Sequence, residues 1–137
     1  MRKILFRGKE VETGAWIYGY YTETCATYCI GQSVIEDEND DYLVIPETVG
    51  QFTRMCDSNH KMIFDGDILK VCKIPKYLDR DYDSFIGVVE DLRTVYQVIG
   101  EECDDTPWVY LHDLCRNYIT IIGNIHDNLE LLKEANK

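Results

Sequence analysis

The sequence predicts an α+β protein dominated by strand, a small antiparallel β-barrel or sandwich with one C-terminal helix. Three observations carry that reading. Five short β-branched and aromatic segments, "DILKVCKI", "FIGVVEDL", "TVYQVIG", "WVYLH" and "YITIIG", follow Gly66 with turns or loops between most of them. No long helical pattern intervenes, which argues against alternating strand–helix units. Only the end of the chain, "HDNLELLKEANK", carries a helical apolar stripe.

The chain opens with "KILFRGK" and "GAWIYGYY", two strands joined by a polar turn that ends in Gly14, a residue free to take positive φ. Trp16, Tyr18 and Tyr20 alternate with Ile17 and Gly19, the period of a strand with two distinct faces. "TYCIGQ" and "YLVIP" are short strands on either side of the acidic loop "EDENDD". Pro46 ends the second of them, because it has no N–H for a ladder. "PETVGQFTRM" then begins as a helical turn, with Pro46 early and Glu47 at the positive end. "RMCDSNHKMIF" reads as a hairpin whose tip is the turn-forming cluster Asp57, Ser58 and Asn59.

"FDGDILKV" is the stretch that most resembles a catalytic site. Gly66 sits where a tight turn wants no Cβ, and an aspartate on either side can accept nearby backbone N–H groups. Ile68 and Cys72 point one way and Leu69 and Val71 the other, so both faces of the strand read as apolar. "DLCRN" is a single helical turn of the kind found between the closing strands of SH3-like barrels, an analogy of fold alone. In the final helix Asp127 stands as N-cap with Glu130 three residues on, and Leu131, Leu132 and Ala135, flanked by Leu129, form the face that docks on the sheet.

Composition bounds the function. A chain of 137 residues is one domain, or one with a small subdomain, and 45% hydrophobic residues exclude wholesale disorder. A net charge of -11 makes non-specific nucleic-acid binding unfavourable unless basic residues are segregated. The basic groups Arg2, Lys3, Arg7 and Lys9, and Lys70, Lys73, Lys76 and Arg80, are interspersed with acid and read as mixed surface. The acidic runs at 36–41 and 101–105 read as solvated loops. "MRKILFRGKE" has only three consecutive apolar residues, too few for a signal peptide or a spanning helix. The expectation is a cytoplasmic protein without membrane contact, whose six cysteines are mostly thiols.

The candidate chemical groups are scattered. An acid/base or metal reading of Asp65 and Asp67 needs further ligands to converge, and Asp57 and His60 are the candidates. A calcium loop is incomplete, since Lys70 and Val71 follow and no closing glutamate does. Cys25 and Cys29 lie on an extended segment, and Cys103, His112 and Cys115 have only a loose zinc-like spacing. Buried thiols are the ordinary explanation. No nucleophile elbow, Walker loop or dinucleotide fingerprint is present in the sequence. The sequence therefore assigns no catalytic, cofactor-binding or metal-binding residue, and the turn reading of "FDGD" stands.

Four segments together resemble one family: "FRGK" with "GAWIYGYY", then "ETVGQFT", then "FDGDILKV", then "IIGNIHDNLELL". In that order they look like the YopX family of small phage and prophage proteins. The resemblance implies an N-terminal mixed subdomain, taken as residues 1–62, an SH3-like β-barrel at 63–123 and a C-terminal helix at 124–137. The family commonly has Asn-Gly in the hairpin turn where this chain has Asn59-His60, so a somewhat different turn is expected. No activity comes with the resemblance. The expected function is a non-enzymatic accessory protein that binds an unidentified host or phage protein, or a second copy of itself. Two alternatives come from other classes. One is an acidic nucleic-acid mimic that inhibits a host enzyme, which needs the acids on one face. The other is a metal-dependent hydrolase built on Asp65 or Asp67.

Overall fold

The computed structural model describes residues 4–24, 32–36, 41–93, 95–101 and 105–134. The chain divides into two compact units, Met1–Phe52 and Thr53–Lys137. Strand β5 (Gly50–Cys56) begins in the first and ends in the second. The hairpin turn that follows it and β6 (Met62–Phe64) belong to the second unit.

The first unit is built from β1 (Phe6–Lys9), β2 (Trp16–Thr24), β3 (Gln32–Glu36), β4 (Asp41–Leu43) and the start of β5. Strand β1 pairs antiparallel with β2, with Arg7 opposite Tyr18 and Lys9 opposite Trp16. Its other edge meets β5, Phe6 opposite Gln51. Ile35 and Val44 are the buried apolar centre of this unit. The expected strand "TYCIGQ" falls largely at 25–31, outside the described residues; the strand that is present, β3, starts at Gln32. The expected helical turn is present as a 3₁₀ turn at Pro46–Thr48, with Pro46 at its start and Glu47 in its first turn. The Thr48 hydroxyl holds it, donating to the Ile45 carbonyl at 2.6 Å and accepting the Lys9 N–H at 2.8 Å. Among the described residues this unit contains no α-helix, so its expected mixed character reduces to strands and one 3₁₀ turn.

The second unit continues through β7 (Asp67–Val71), β8 (Phe85–Asp91), β9 (Tyr96–Ile99), β10 (Trp108–Tyr110), β11 (Ile119–Asn124) and α1 (Leu129–Glu134). Strands β7 to β10 form a meander, and β11 returns to lie beside β7, giving the order β10-β9-β8-β7-β11 with every pair antiparallel. The core is assembled from their inward residues, including Leu69, Val71, Val89, Val98, Val109 and Ile119, together with Ile63. Strand β8 carries Gly87 at a point of close approach. A Cβ there would lie 2.8 Å from the Ile99 carbonyl carbon and 2.8 Å from the Phe85 ring, a backbone approach that only glycine permits.

One expectation is met in part and two are corrected. The ladder ends at β10 and β11, and no described pairing joins those two edges, so a closed barrel is not found. Strand β7 is not apolar on both faces throughout. Ile68, Leu69 and Val71 are fully buried, but Lys70 and Cys72, on the face of Ile68, are exposed. The helix starts later than expected, with Leu129 as its first residue. Asn124 accounts for the difference. Its Oδ1 accepts the N–H groups of His126 and Asp127, each at 3.0 Å, which holds those residues in an Asx-type turn. Leu132 is the buried contact of the helix, which packs against β8. Ala135 lies outside the described residues.

The region between β10 and β11 carries two 3₁₀ turns, Leu111–Asp113 and Arg116–Tyr118, on either side of the expected one.

Candidate functional site

Asp57 and Asp67, two of the aspartates singled out as candidate ligands, are consumed by backbone. The Asp57 side chain is fully buried. Its Oδ1 accepts the N–H groups of Asn59 and Lys61, and its Oδ2 accepts that of Ile121 on β11, all at 2.9 Å. Burial alone would raise this carboxyl, but the three backbone donors and the nearby Lys61 charge outweigh it and hold the pKa below 3.8. His60 takes φ 64 at the tip of the same turn, the left-handed position that Asn-Gly turns fill with glycine.

Asp67 is also buried, and its Oδ2 accepts the Phe64 N–H at 2.8 Å. Gly66 between the two aspartates has φ 92, a turn conformation that L side chains avoid. Its N–H donates to the Val89 carbonyl and its carbonyl accepts the Ile125 N–H, both at 2.9 Å, so the turn is stitched to β8 and to the segment after β11. Asp65 faces Tyr96. Burial, then the charges of Asp91 and Asp65, push the Tyr96 phenol up to about 12. A raised phenol contributes stability that is complete below its unfolded value of 10.0 and is lost as pH rises through about 12. Tyr96→Phe is therefore expected to show a flatter alkaline stability curve than the wild type, read by urea unfolding at stepped pH.

Among the described residues no group of three His, Cys, Asp or Glu side chains is arranged to hold a metal ion. Cys25, Cys29 and Cys103 lie outside the described residues. Of the remaining zinc-like candidates, Cys115 is exposed, and His112 stacks on Tyr110 with its ring plane 7° away.

The structure assembles a different surface, one the motifs did not indicate. The connection from β7 to β8 is long and anchored at its base, where the Ile74 N–H donates to the Asp83 carbonyl at 3.0 Å. Ile74 is buried and Leu78 packs on the core, which fixes the loop and turns Tyr77 outward at 77% exposure. A 3₁₀ turn at Lys76–Leu78 ends with Asp79 in the left-handed region at φ 52. The chain then runs back across β10 as Arg80, Asp81 and Tyr82. The Tyr82 hydroxyl clamps that strand: it donates to the Trp108 carbonyl at 2.7 Å and accepts the Trp108 N–H at 2.9 Å. Tyr82→Phe leaves both backbone groups without this partner and is expected to cost about 1–2 kcal/mol. Faster amide exchange at residues 74–84 is the accompanying sign, measured by hydrogen–deuterium exchange.

Along β10, Val109 faces the core while Trp108 and Tyr110 face outward. The Arg80 guanidinium lies 4.3 Å above the Trp108 ring. Trp108 meets Tyr110 edge-on at 5.1 Å, and Tyr110 stacks on His112 at 5.5 Å. Guanidinium, indole, phenol and imidazole thus form a ladder of planar groups. Beside it lies an open groove of about 510 Å³ lined by Asp79, Arg80, Asp81, Tyr82, Asp105 and Trp108, among others. The carboxylates of Asp79, Asp81 and Asp105 make no hydrogen bond or ion pair among the described residues, and Arg80 makes no ion pair there. An unpaired acidic rim around an aromatic floor can hold a ligand by charge and stacking. It offers no nucleophile–base pair.

Comparison with known proteins adds a family and solved structures of similar chains. The crystal structure of protein EF1440 from Enterococcus faecalis is similar at 20% identity, covering 96% of this chain and 99% of that one, with a TM-score of 0.45. A search of curated proteins finds no match. The family model described as YopX protein matches residues 5–133, nearly the whole chain. The chain belongs to the YopX family.

Proposed function

We propose that this chain is a non-enzymatic protein-binding module of phage or prophage origin, acting in the host cytoplasm, and that its docking surface is the Arg80–Trp108 groove. The observation that carries the reading is the half-buried ladder of Arg80, Trp108 and Tyr110, ending in the exposed His112, beside unpaired carboxylates. Tryptophan, tyrosine and arginine are the residues that most often dominate binding energy at protein interfaces. The phage setting rests on the sequence resemblance described above. Among the described residues, no helix is long and apolar enough to cross a membrane, which is compatible with that setting.

The second unit is read as an SH3-like barrel. Its strand order and the 3₁₀ turns before β11 support that reading.

The test is affinity capture from host cells with the wild type, Trp108→Ala and Tyr18→Ala, the last being an exposed aromatic of the first unit. Trp108→Ala should lower recovery of a specific partner about tenfold or more, and Tyr18→Ala should leave it unchanged. Arg80→Ala gives an independent arm, since it strips the cover from the indole without altering β10. Equal recovery by the wild type, Trp108→Ala and Arg80→Ala removes the groove as the docking surface.

A further inference from the structure

Resting on the groove as the docking surface, we infer that its occupant is an extended, positively charged peptide segment, held by arginine or lysine side chains against Asp79, Asp81 and Asp105.

The rim supplies the first argument. Asp79, Asp81 and Asp105 are exposed and line one groove, and none of their carboxylates makes an ion pair or hydrogen bond among the described residues. The neighbouring Arg80 lays its guanidinium on the Trp108 ring and pairs with none of them, and its single charge leaves the groove with an acidic excess. Carboxylates held together in excess favour a cationic partner. A divalent ion fits less well, since these side chains are not gathered as a group of ligands. A nucleic-acid strand is repelled, because its phosphates would face the same carboxylates.

Shape supplies the second argument. The groove is open and runs beside edge strand β10, yet the Tyr82 hydroxyl already occupies both the N–H and the carbonyl of Trp108. A partner strand is therefore denied pairing with β10 at that residue, and recognition falls to side chains. Carboxylates give arginine two parallel hydrogen bonds, and Tyr82 and Trp108 line the same groove with aromatic surface.

Isothermal titration with three capped decapeptides tests this: arginine alternating with proline, glutamine alternating with proline, and glutamate alternating with proline. A twenty-residue oligothymidylate is the fourth probe. The arginine peptide should bind and weaken as salt rises, and the other three should not bind. The combined variant Asp79→Asn, Asp81→Asn, Asp105→Asn should weaken the arginine peptide about tenfold or more. The combined variant Glu12→Gln, Glu47→Gln, Glu130→Gln makes the same change of net charge at exposed positions and should not. Equal loss in both variants shows attraction to overall charge and overturns the inference. So does absence of binding, or binding of the glutamine peptide as strong as that of the arginine peptide. A captured partner that depends on Trp108 but ignores the three asparagines keeps the groove as docking surface and rejects only the basic ligand. Oligothymidylate binding that depends on Trp108 rejects both.

Discussion

Asp57→Asn is expected to destabilise the second unit by roughly 3 kcal/mol, because three backbone donors share one buried carboxylate. Asparagine keeps the shape and a single oxygen, and it turns an N–H₂ group toward a backbone N–H. Two donors then face each other away from water, where an unmet polar group is expensive. The defect couples two places, since Asn59 and Lys61 belong to the hairpin turn and Ile121 to β11. Both should show faster amide exchange. The pH dependence follows from the lowered pKa. The stabilisation is fully present above the ordinary value of 3.8 and is lost as pH falls through the lower folded-state value. The gap between wild type and variant should hold from neutral pH down to about pH 5 and narrow below about pH 4, as acid neutralises Asp57 in the wild type. Urea unfolding across that range measures it.

Leu69→Ala is expected to cost about 2–5 kcal/mol. Leu69 is fully buried in the middle of β7, opposite Gly87 on β8 and Ile121 on β11. Its neighbours are poorly placed to fill the space. Gly87 has no side chain to shift, and its backbone is already pressed against Ile99. A site that cannot collapse keeps its cavity, and the cost moves to the upper part of the range. Lys70→Ala is the matched control one residue along, where the side chain is exposed, and it should change stability by less than about 0.5 kcal/mol. Thermal and urea unfolding of the two variants side by side separate strand propensity from core packing.

Much of the fold could be read from local pattern. The strands after Gly66 announce themselves because each is a short β-branched run bounded by turn formers. "FDGD" reads as a turn for a reason visible in the residues, and the structure supplies the bonds: Asp67 accepts from Phe64, and Gly66 takes the positive φ. The helix start was misplaced because a capping pattern fits Asp127, whereas the Asn124 side chain had already claimed the Asp127 N–H. Two acceptors competed for one donor, and sequence spacing does not rank them.

Strand pairing explains what stayed hidden. That β11 lies beside β7 is a contact between residues some fifty positions apart, and nothing local encodes it. The groove is hidden for the same reason, since Tyr82 meets Trp108 only when the β7–β8 loop folds over β10. Its traces in the sequence are faint: the "DRDYD" run at 79–83, too charged to be core, and the alternation Trp108-Val109-Tyr110, which puts two aromatics on one face. Asp57 reads as a turn former beside Ser58 and Asn59, and the structure gives it that role, but its reach to Ile121 on β11 has no local signal.

The groove as a docking surface is tested most directly by an amide ¹H–¹⁵N titration of the labelled protein with its captured partner. Shift changes are expected to gather at Asp79–Asp83 and Asp105–His112, on the loop and strand that Tyr82 joins. Changes confined to the Trp16–Tyr20 face, or centred on Asp65 and Asp67, would contradict it.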